Sequence, residues 1–302
     1  MSLIKRLSKI RGELIENADL SKQSWFGTGG CADLMFIPAD MEDLQIFFKL
    51  VPKDTPITII GSMSNILVRS GGIRGIVVRL GKWFKNVFVQ GDVIEIGAAT
   101  SCSELSVLAM DRELGGLEFL SGIPGSIGGA IRMNAGCFGS DIFNVLLEFE
   151  AITRTSEMKW CKARDVKYEY RKTNIPPDWI ITRAWFRGKK DIDYSISKKV
   201  REIIMKKQES QPLDKRSCGS TFKNPEGYSA WKLIEDAGCK GMKLGGAMVS
   251  TKHCNFIVNE GDATPDDIEN LGEQVIQKVK QNSGIELEWE IIRLGERKEV
   301  VL

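Results

Sequence analysis

The sequence predicts an α+β fold, and three observations predict it. Runs rich in β-branched residues cluster in groups instead of alternating one for one with helices. Helical periodicity with recognisable caps occurs at only a few places. No internal repeat or low-complexity linker interrupts the chain of 302 residues, a length that suggests roughly two domains.

The elements follow in order. Residues 1–16 place Leu3, Ile4, Leu7, Ile10 and Leu14 at helical spacing between basic residues, which predicts an amphipathic first helix rather than a secretory signal. Residues 40–51 predict a helix capped by Asp40, with Leu44, Phe47 and Phe48 inward. Residues 57–60 read as a strand running into Gly61-Ser62-Met63-Ser64-Asn65, and residues 75–80 read as another. Residues 87–89 and 93–96 flank Gln90-Gly91-Asp92, a hairpin signal. A helix over 103–114 stops at Gly115-Gly116, and a glycine-rich stretch continues to Gly139. Strands are expected at 145–152 and 179–186. A helix over 197–208 ends before Pro212, and a domain change is placed there. Beyond it come a helix over 231–237, a strand over 255–259 and a helix over 265–282 capped by Thr264 with Pro265 in its first turn. A last strand covers 285–294.

Composition narrows the function. Hydrophobic residues make up 42% and charged residues 27%, with a formal net charge of +2. That balance supplies a core and argues against a dedicated nucleic-acid binder, which needs clustered excess cations. No window approaches the ~20 apolar residues of a membrane span. The lone His253 excludes multi-histidine metal sites, and no metal is expected. Seven widely spaced cysteines fit free thiols in a reducing cytoplasm better than a disulfide framework or a zinc site. His253 beside Cys254 reads as structural. Thirty glycines exceed the usual ~7% and gather at 27–30, 61–75, 115–139 and 241–246. Two of these stretches carry serine as well, which suits a phosphate bound by backbone amides. Neither is a Walker A loop nor a Rossmann fingerprint.

Several motifs then fall into a known order. Ser24-Trp25-Phe26-Gly27-Thr28-Gly29-Gly30, Gly61-Ser62-Met63-Ser64-Asn65-Ile66, Ser121-Gly122-Ile123-Pro124-Gly125-Ser126-Ile127-Gly128-Gly129-Ala130 and Met133-Asn134-Ala135-Gly136 resemble the flavin-binding half of the UDP-N-acetylenolpyruvoylglucosamine reductases. Tyr168-Glu169-Tyr170-Arg171, Gly219-Ser220-Thr221-Phe222-Lys223-Asn224-Pro225 and Leu287-Glu288-Trp289-Glu290 resemble that family's catalytic segments. The resemblance implies a two-subdomain FAD-binding unit of the vanillyl-alcohol-oxidase-like (PCMH) type over 1–205. A smaller C-terminal α+β substrate domain would occupy 206–302. It implies NADPH as hydride donor and a UDP-sugar as substrate, in the cytoplasm, with no nucleic acid, membrane or obligate protein partner. Gly61, Ser62, Ser64, Asn65, Ile66, Gly122, Gly125, Ser126, Gly128 and Gly129 are expected to hold FAD.

By the same resemblance Arg171, Ser220 and Glu290 are the catalytic residues, and Tyr170, Lys223 and Asn224 bind substrate. An arginine fork suits a carboxylate. Ser220 would protonate the carbon that gains charge, with Lys223 close enough to help. Glu290 would donate a hydrogen bond while neutral, with Glu288 as its rival on the same face and Trp289 pointing away. Lys240 and Lys243 are open between a diphosphate contact and solvated charge. Met63 stands where the family has glycine, so it either keeps an ordinary φ or tolerates strain. The short run from Arg171 to Gln211-Pro212 leaves no room for a lid insert. Another flavoenzyme of the same fold and a non-catalytic nucleotide-binding protein stay open as alternatives.

Overall fold

The computed structural model describes residues 3–190 and 195–298. It divides into two compact units. The first takes Met1–Glu16, Leu34–Ser62 and Gly75–Met205; the second takes Asn17–Asp33, Met63–Arg74 and Lys206–Leu302. A single cut after residue 205 therefore does not describe the division. The second unit also gathers two early segments, because residues distant in sequence share its core.

The first unit is built on two sheets. A four-stranded sheet runs in the order Glu13–Asp19, Cys31–Ile37, Ile73–Arg79, Ile57–Ile60, the last pair parallel. Its core includes Leu34, Phe36, Phe47, Ile76 and Ile180, and the Phe36 and Phe47 rings stack at 4.3 Å. The helix Met41–Leu50 lies against it, with Asp40 capping Asp43 N–H at 2.9 Å as the sequence indicates. The second sheet is antiparallel, in the order Met158–Lys162, Leu146–Ile152, Ile180–Arg187, Val93–Gly97, Val87–Gln90. The helices Cys102–Asp111 and Ile127–Arg132 contribute Leu105 and Ile131 to the core that also holds Ile96 and Phe149.

One expectation fails at the start of the chain. The helix covers only Leu3–Arg6 and continues as a 3-10 turn over Leu7–Lys9; Glu13–Asp19 is a strand. Residues 1–2 lie outside the described residues. Gly12 breaks the helical pattern: a Cβ there would meet the Ile37 carbonyl at 2.2 Å. Buried Asp43 then takes the N–H groups of Arg11 and Gly12 at 2.7 and 2.8 Å, so these amides serve a loop and not a helix.

The second unit packs the helices Ala230–Asp236 and Pro265–Ser283 on an antiparallel sheet of Lys243–Leu244, Ala247–Val249 and Ile257–Asn259. Thr264 and Asp267 form the capping box of the long helix, and Gly284 closes it in the left-handed region. The expected strand over 285–294 shrinks to Ile292–Leu294, parallel to Ile66–Val68. Before it, the chain makes a single bridge, Trp289 with Phe222.

Glu269 is buried in this unit, with a side chain 2% exposed, and accepts from Arg69, Arg293 and Arg297 at 2.8, 3.0 and 3.3 Å. Burial alone would raise its pKa, but the bonds from Arg69 and Arg297 prevail and hold it at about 2 against an ordinary 4.5. A depressed carboxylate stabilises the fold above its unfolded pKa and loses that contribution as pH falls through the window down to about 2. The contribution is on the order of 3 kcal/mol. Urea midpoints should show Glu269→Gln well below wild type at neutral pH, with the gap narrowing on acidification below pH 4.5.

Candidate active site

The first unit brings the two glycine stretches together. A Cβ on Gly61 would meet Ser126 Oγ at 2.5 Å, and one on Gly122 would meet Cys137 Sγ at 2.7 Å. These glycines are required for chain packing. Gly125 has φ +104°, a conformation open in practice only to glycine. Ser101 and Ser126 form a bridge: Ile127 N–H donates to the Thr100 carbonyl at 2.8 Å, and Cys102 N–H to the Gly125 carbonyl at 3.0 Å. Beside them Thr100 Oγ1 is buried with no hydrogen-bond partner in the structure. Gly61 and Gly129 both lie against Ser126, so the residues around this contact offer backbone and hydroxyl groups. That donor set fits the pyrophosphate of a dinucleotide such as FAD. Ser64, Asn65 and Ile66 belong to the second unit, since the division falls between Ser62 and Met63.

Tyr170 and Arg171 form the tip of a hairpin between Tyr168–Glu169 and Lys172–Thr173. Arg171 has φ +58°, a left-handed conformation that costs a side-chain-bearing residue about 1–2 kcal/mol. Such strain persists only where surrounding bonds impose it. Those bonds are visible. Arg171 Nη2 donates to the Gly136 carbonyl at 2.7 Å, and the guanidinium lies 4.7 Å over the Tyr170 ring. Asn134 Nδ2 donates to the Glu169 carbonyl at 3.1 Å, and Tyr168 stacks on Phe143 at 4.4 Å. Arg132 donates to the carbonyls of Ile175, Pro176 and Trp179, and its own carbonyl accepts from Thr173 Oγ1 at 2.8 Å. Burial lowers the Arg132 pKa. Asn134 and Arg132 went unassigned in the sequence. A half-buried arginine serving carbonyls has no periodic signature, although Asn134 stands inside the motif 133–136.

In the second unit, Ser220 and Glu290 stand on neighbouring segments. Glu290 N–H donates to the Thr221 carbonyl at 2.9 Å, and Lys223 N–H to the Glu288 carbonyl at 2.8 Å. Ser220 follows Gly219, whose φ is +80°. Asn255, another residue the sequence left unassigned, clamps the serine segment. It accepts from Phe222 N–H at 2.9 Å and donates to the Phe222 carbonyl at 2.8 Å. Trp289, expected on the side opposite Glu290 and Glu288, is half-buried. Its ring lies on Gly272, its N–H donates to Glu273 at 3.0 Å, and Phe222 is 5.1 Å away.

Other expected groups have protein partners. Lys223 Nζ bonds exposed Glu288 at 3.0 Å, which occupies the rival carboxylate. Asn224 Oδ1 accepts from Ala230 N–H at 2.9 Å, at the start of the helix Ala230–Asp236. Lys240 and Lys243 pair with Glu235 and Glu260 at 2.9 and 3.5 Å. Burial lowers the His253 pKa, and its Nδ1 accepts from Asn255 N–H at 3.3 Å, a structural contact. Burial pushes the thiol of Cys218 up to about 12, far from a thiolate nucleophile.

Met63 resolves its alternatives in favour of strain. It has φ +56° and is 2% exposed. Relaxing the backbone returns about 1–2 kcal/mol, but emptying a buried methionine site costs about 2–5 kcal/mol. Met63→Gly should therefore lower stability by about 1–3 kcal/mol in urea unfolding, although glycine fits the backbone better.

Comparison with known proteins places these observations in a family. Residues 211–294 match the C-terminal domain of UDP-N-acetylenolpyruvoylglucosamine reductase, and residues 32–162 match an FAD binding domain. A protein of Parvibaculum lavamentivorans named UDP-N-acetylenolpyruvoylglucosamine reductase is 47% identical over 298 residues, covering 99% of this chain and 96% of the relative. One of Paramagnetospirillum magneticum with the same name is 43% identical over 293 residues, covering 97% and 95%. The crystal structure of UDP-N-acetylenolpyruvylglucosamine reductase from Thermus caldophilus superposes with a TM-score of 0.82 at 31% identity, covering 95% of this chain and 100% of that one. Among the described residues no helix is long and apolar enough to cross a membrane.

Proposed function

The chain belongs to the UDP-N-acetylenolpyruvoylglucosamine reductase family, and from that premise we propose how its residues divide the family's reaction. The activity is FAD-dependent reduction of the enolpyruvyl group of the UDP-sugar, which yields UDP-N-acetylmuramate for peptidoglycan precursors. The near-full-length identity of 47% carries the assignment. Gly61, Ser62, Gly122, Gly125, Ser126, Gly128 and Gly129 would hold FAD. When bound, FAD would supply hydride chemistry at the β-carbon of the double bond, with NADPH as the source of the electrons.

The chain's own residues manage the charge and proton that follow. Arg171 binds the substrate carboxylate through its fork, and its permanent charge stabilises the electrons that spread into that carboxylate. Its backbone strain and its anchor on Gly136 support a fixed aim for the guanidinium. Ser220 Oγ gives its proton to the α-carbon. Glu290, facing a carboxylate, acts as a neutral donor, since two adjacent carboxylates do not both ionise. Tyr170 packs under the guanidinium. Lys223 and Asn224 reach substrate only by exchanging their present partners. The enzyme works in the cytoplasm, where NADPH is available.

The assignment is tested by incubating the protein with NADPH and the enolpyruvyl UDP-sugar in D₂O. The product should carry solvent deuterium at the α-carbon, where the proton is delivered. Absence of reduced product, with FAD bound, would refute it.

A further inference from the structure

The motif 61–66 is expected to cradle the flavin, yet Asn65 points its chemistry elsewhere. Its Nδ2 donates to the Glu290 carbonyl at 3.0 Å, while its own carbonyl accepts from Ile292 N–H at 3.0 Å. The neighbouring strand Ile66–Val68 runs parallel to Ile292–Leu294. On the other side, the buried thiol of Cys218, two residues before Ser220, donates to the Ile66 carbonyl at 3.4 Å. One short segment thus touches both the serine segment and the glutamate segment, all within the second unit.

We propose that Asn65 is a positioning residue for Glu290, holding it by its main-chain carbonyl. The inference rests on the role given to Glu290 above. The glutamate's N–H is already tied to the Thr221 carbonyl at 2.9 Å. With the carbonyl tied as well, the peptide planes on both sides of its α-carbon are fixed, and so is the direction of its side chain. Removing the asparagine amide loosens the second plane alone, leaving it only the long bond from Ile291 N–H to the Thr221 carbonyl at 3.4 Å. The ladder from Ile66 to Val68 uses main-chain groups and survives substitution, so the segment stays in place while the glutamate loses its aim. A reacting group displaced by about 1 Å can cost up to ~100-fold in rate.

The test uses Asn65→Ala and the near-isosteric Asn65→Asp, each as FAD-loaded full-length protein, in stopped flow without oxygen. Both should bleach with NADPH at close to the wild-type rate. The return of colour on adding the enolpyruvyl UDP-sugar should slow about 10- to 100-fold, mostly in the limiting rate and little in the substrate concentration needed. In Asn65→Asp the return should speed up on acidification, because a protonated aspartate can again donate to the carbonyl. In ¹⁵N spectra of flavin-free protein, the Asn65 side-chain amide should be protected from exchange and should shift little when FAD is added. Loss of FAD, slowed bleaching with normal return, or a large FAD-induced shift would make Asn65 a flavin ligand and overturn the inference. Wild-type rates in both steps would overturn it too. Glu290→Ala, which keeps no donor on the side chain, is the control for the reading beneath it. If that variant returns colour normally, the role of Glu290 fails, and this result is distinct from failure at Asn65 alone.

Discussion

The Ser220→Ala enzyme should take electrons from NADPH normally and then stall when the enolpyruvyl UDP-sugar arrives. The hydroxyl is needed only where a proton must reach the α-carbon, and a positioned general acid contributes roughly 10²- to 10⁴-fold. The substitution removes one oxygen and leaves the segment's supports untouched. Thr221 N–H still donates to the Asn255 carbonyl at 2.8 Å, and Asn255 still holds Phe222 through its side chain. Folding and flavin content should be those of wild type. Rapid mixing that separates bleaching from colour return checks this, and a normal return would exclude Ser220 as the acid.

The second large effect is at Arg171. Arg171→Lys keeps the charge but loses the two-donor fork, and kcat/KM should fall by about 2–4 kcal/mol, or about 30- to 1,000-fold. Arg171→Gly is the informative partner. It relieves a φ of +58° while removing the bond to Gly136 and the packing on Tyr170. These terms oppose each other, so stability should change by less than about 1 kcal/mol while turnover collapses. A variant that is stable and inactive would show that the strain serves function. A variant with turnover within a few-fold of wild type would remove Arg171 from carboxylate binding.

Much of this architecture could be read from local chemistry. Asp40, Thr264 with Pro265, and Gln90-Gly91-Asp92 act through neighbours a few residues away, and the structure carries each where expected. The readings that failed depend on distant partners. Residues 11–12 leave the helix because Asp43 captures their amides. Residues 285–291 lack a ladder because a single bridge to Phe222 is all the serine segment offers. The membership of 17–33 and 63–74 in the second unit reflects a shared core containing Phe26, Leu67 and Ile291, which no periodicity announces. The same holds at the site. The expectation for Arg171, Ser220 and Glu290 came from motifs, whereas Asn134, Arg132 and Asn255 act through carbonyls and amides and leave no pattern in the sequence.

The central claim is that one protein-bound flavin carries electrons from NADPH to an unsaturated UDP-sugar. It is tested most directly by an anaerobic titration of the purified yellow protein. One equivalent of NADPH should bleach it, and one equivalent of the enolpyruvyl UDP-sugar should restore the colour with formation of the saturated acid. A protein that binds FAD and bleaches but stays bleached when this substrate is added would contradict the account.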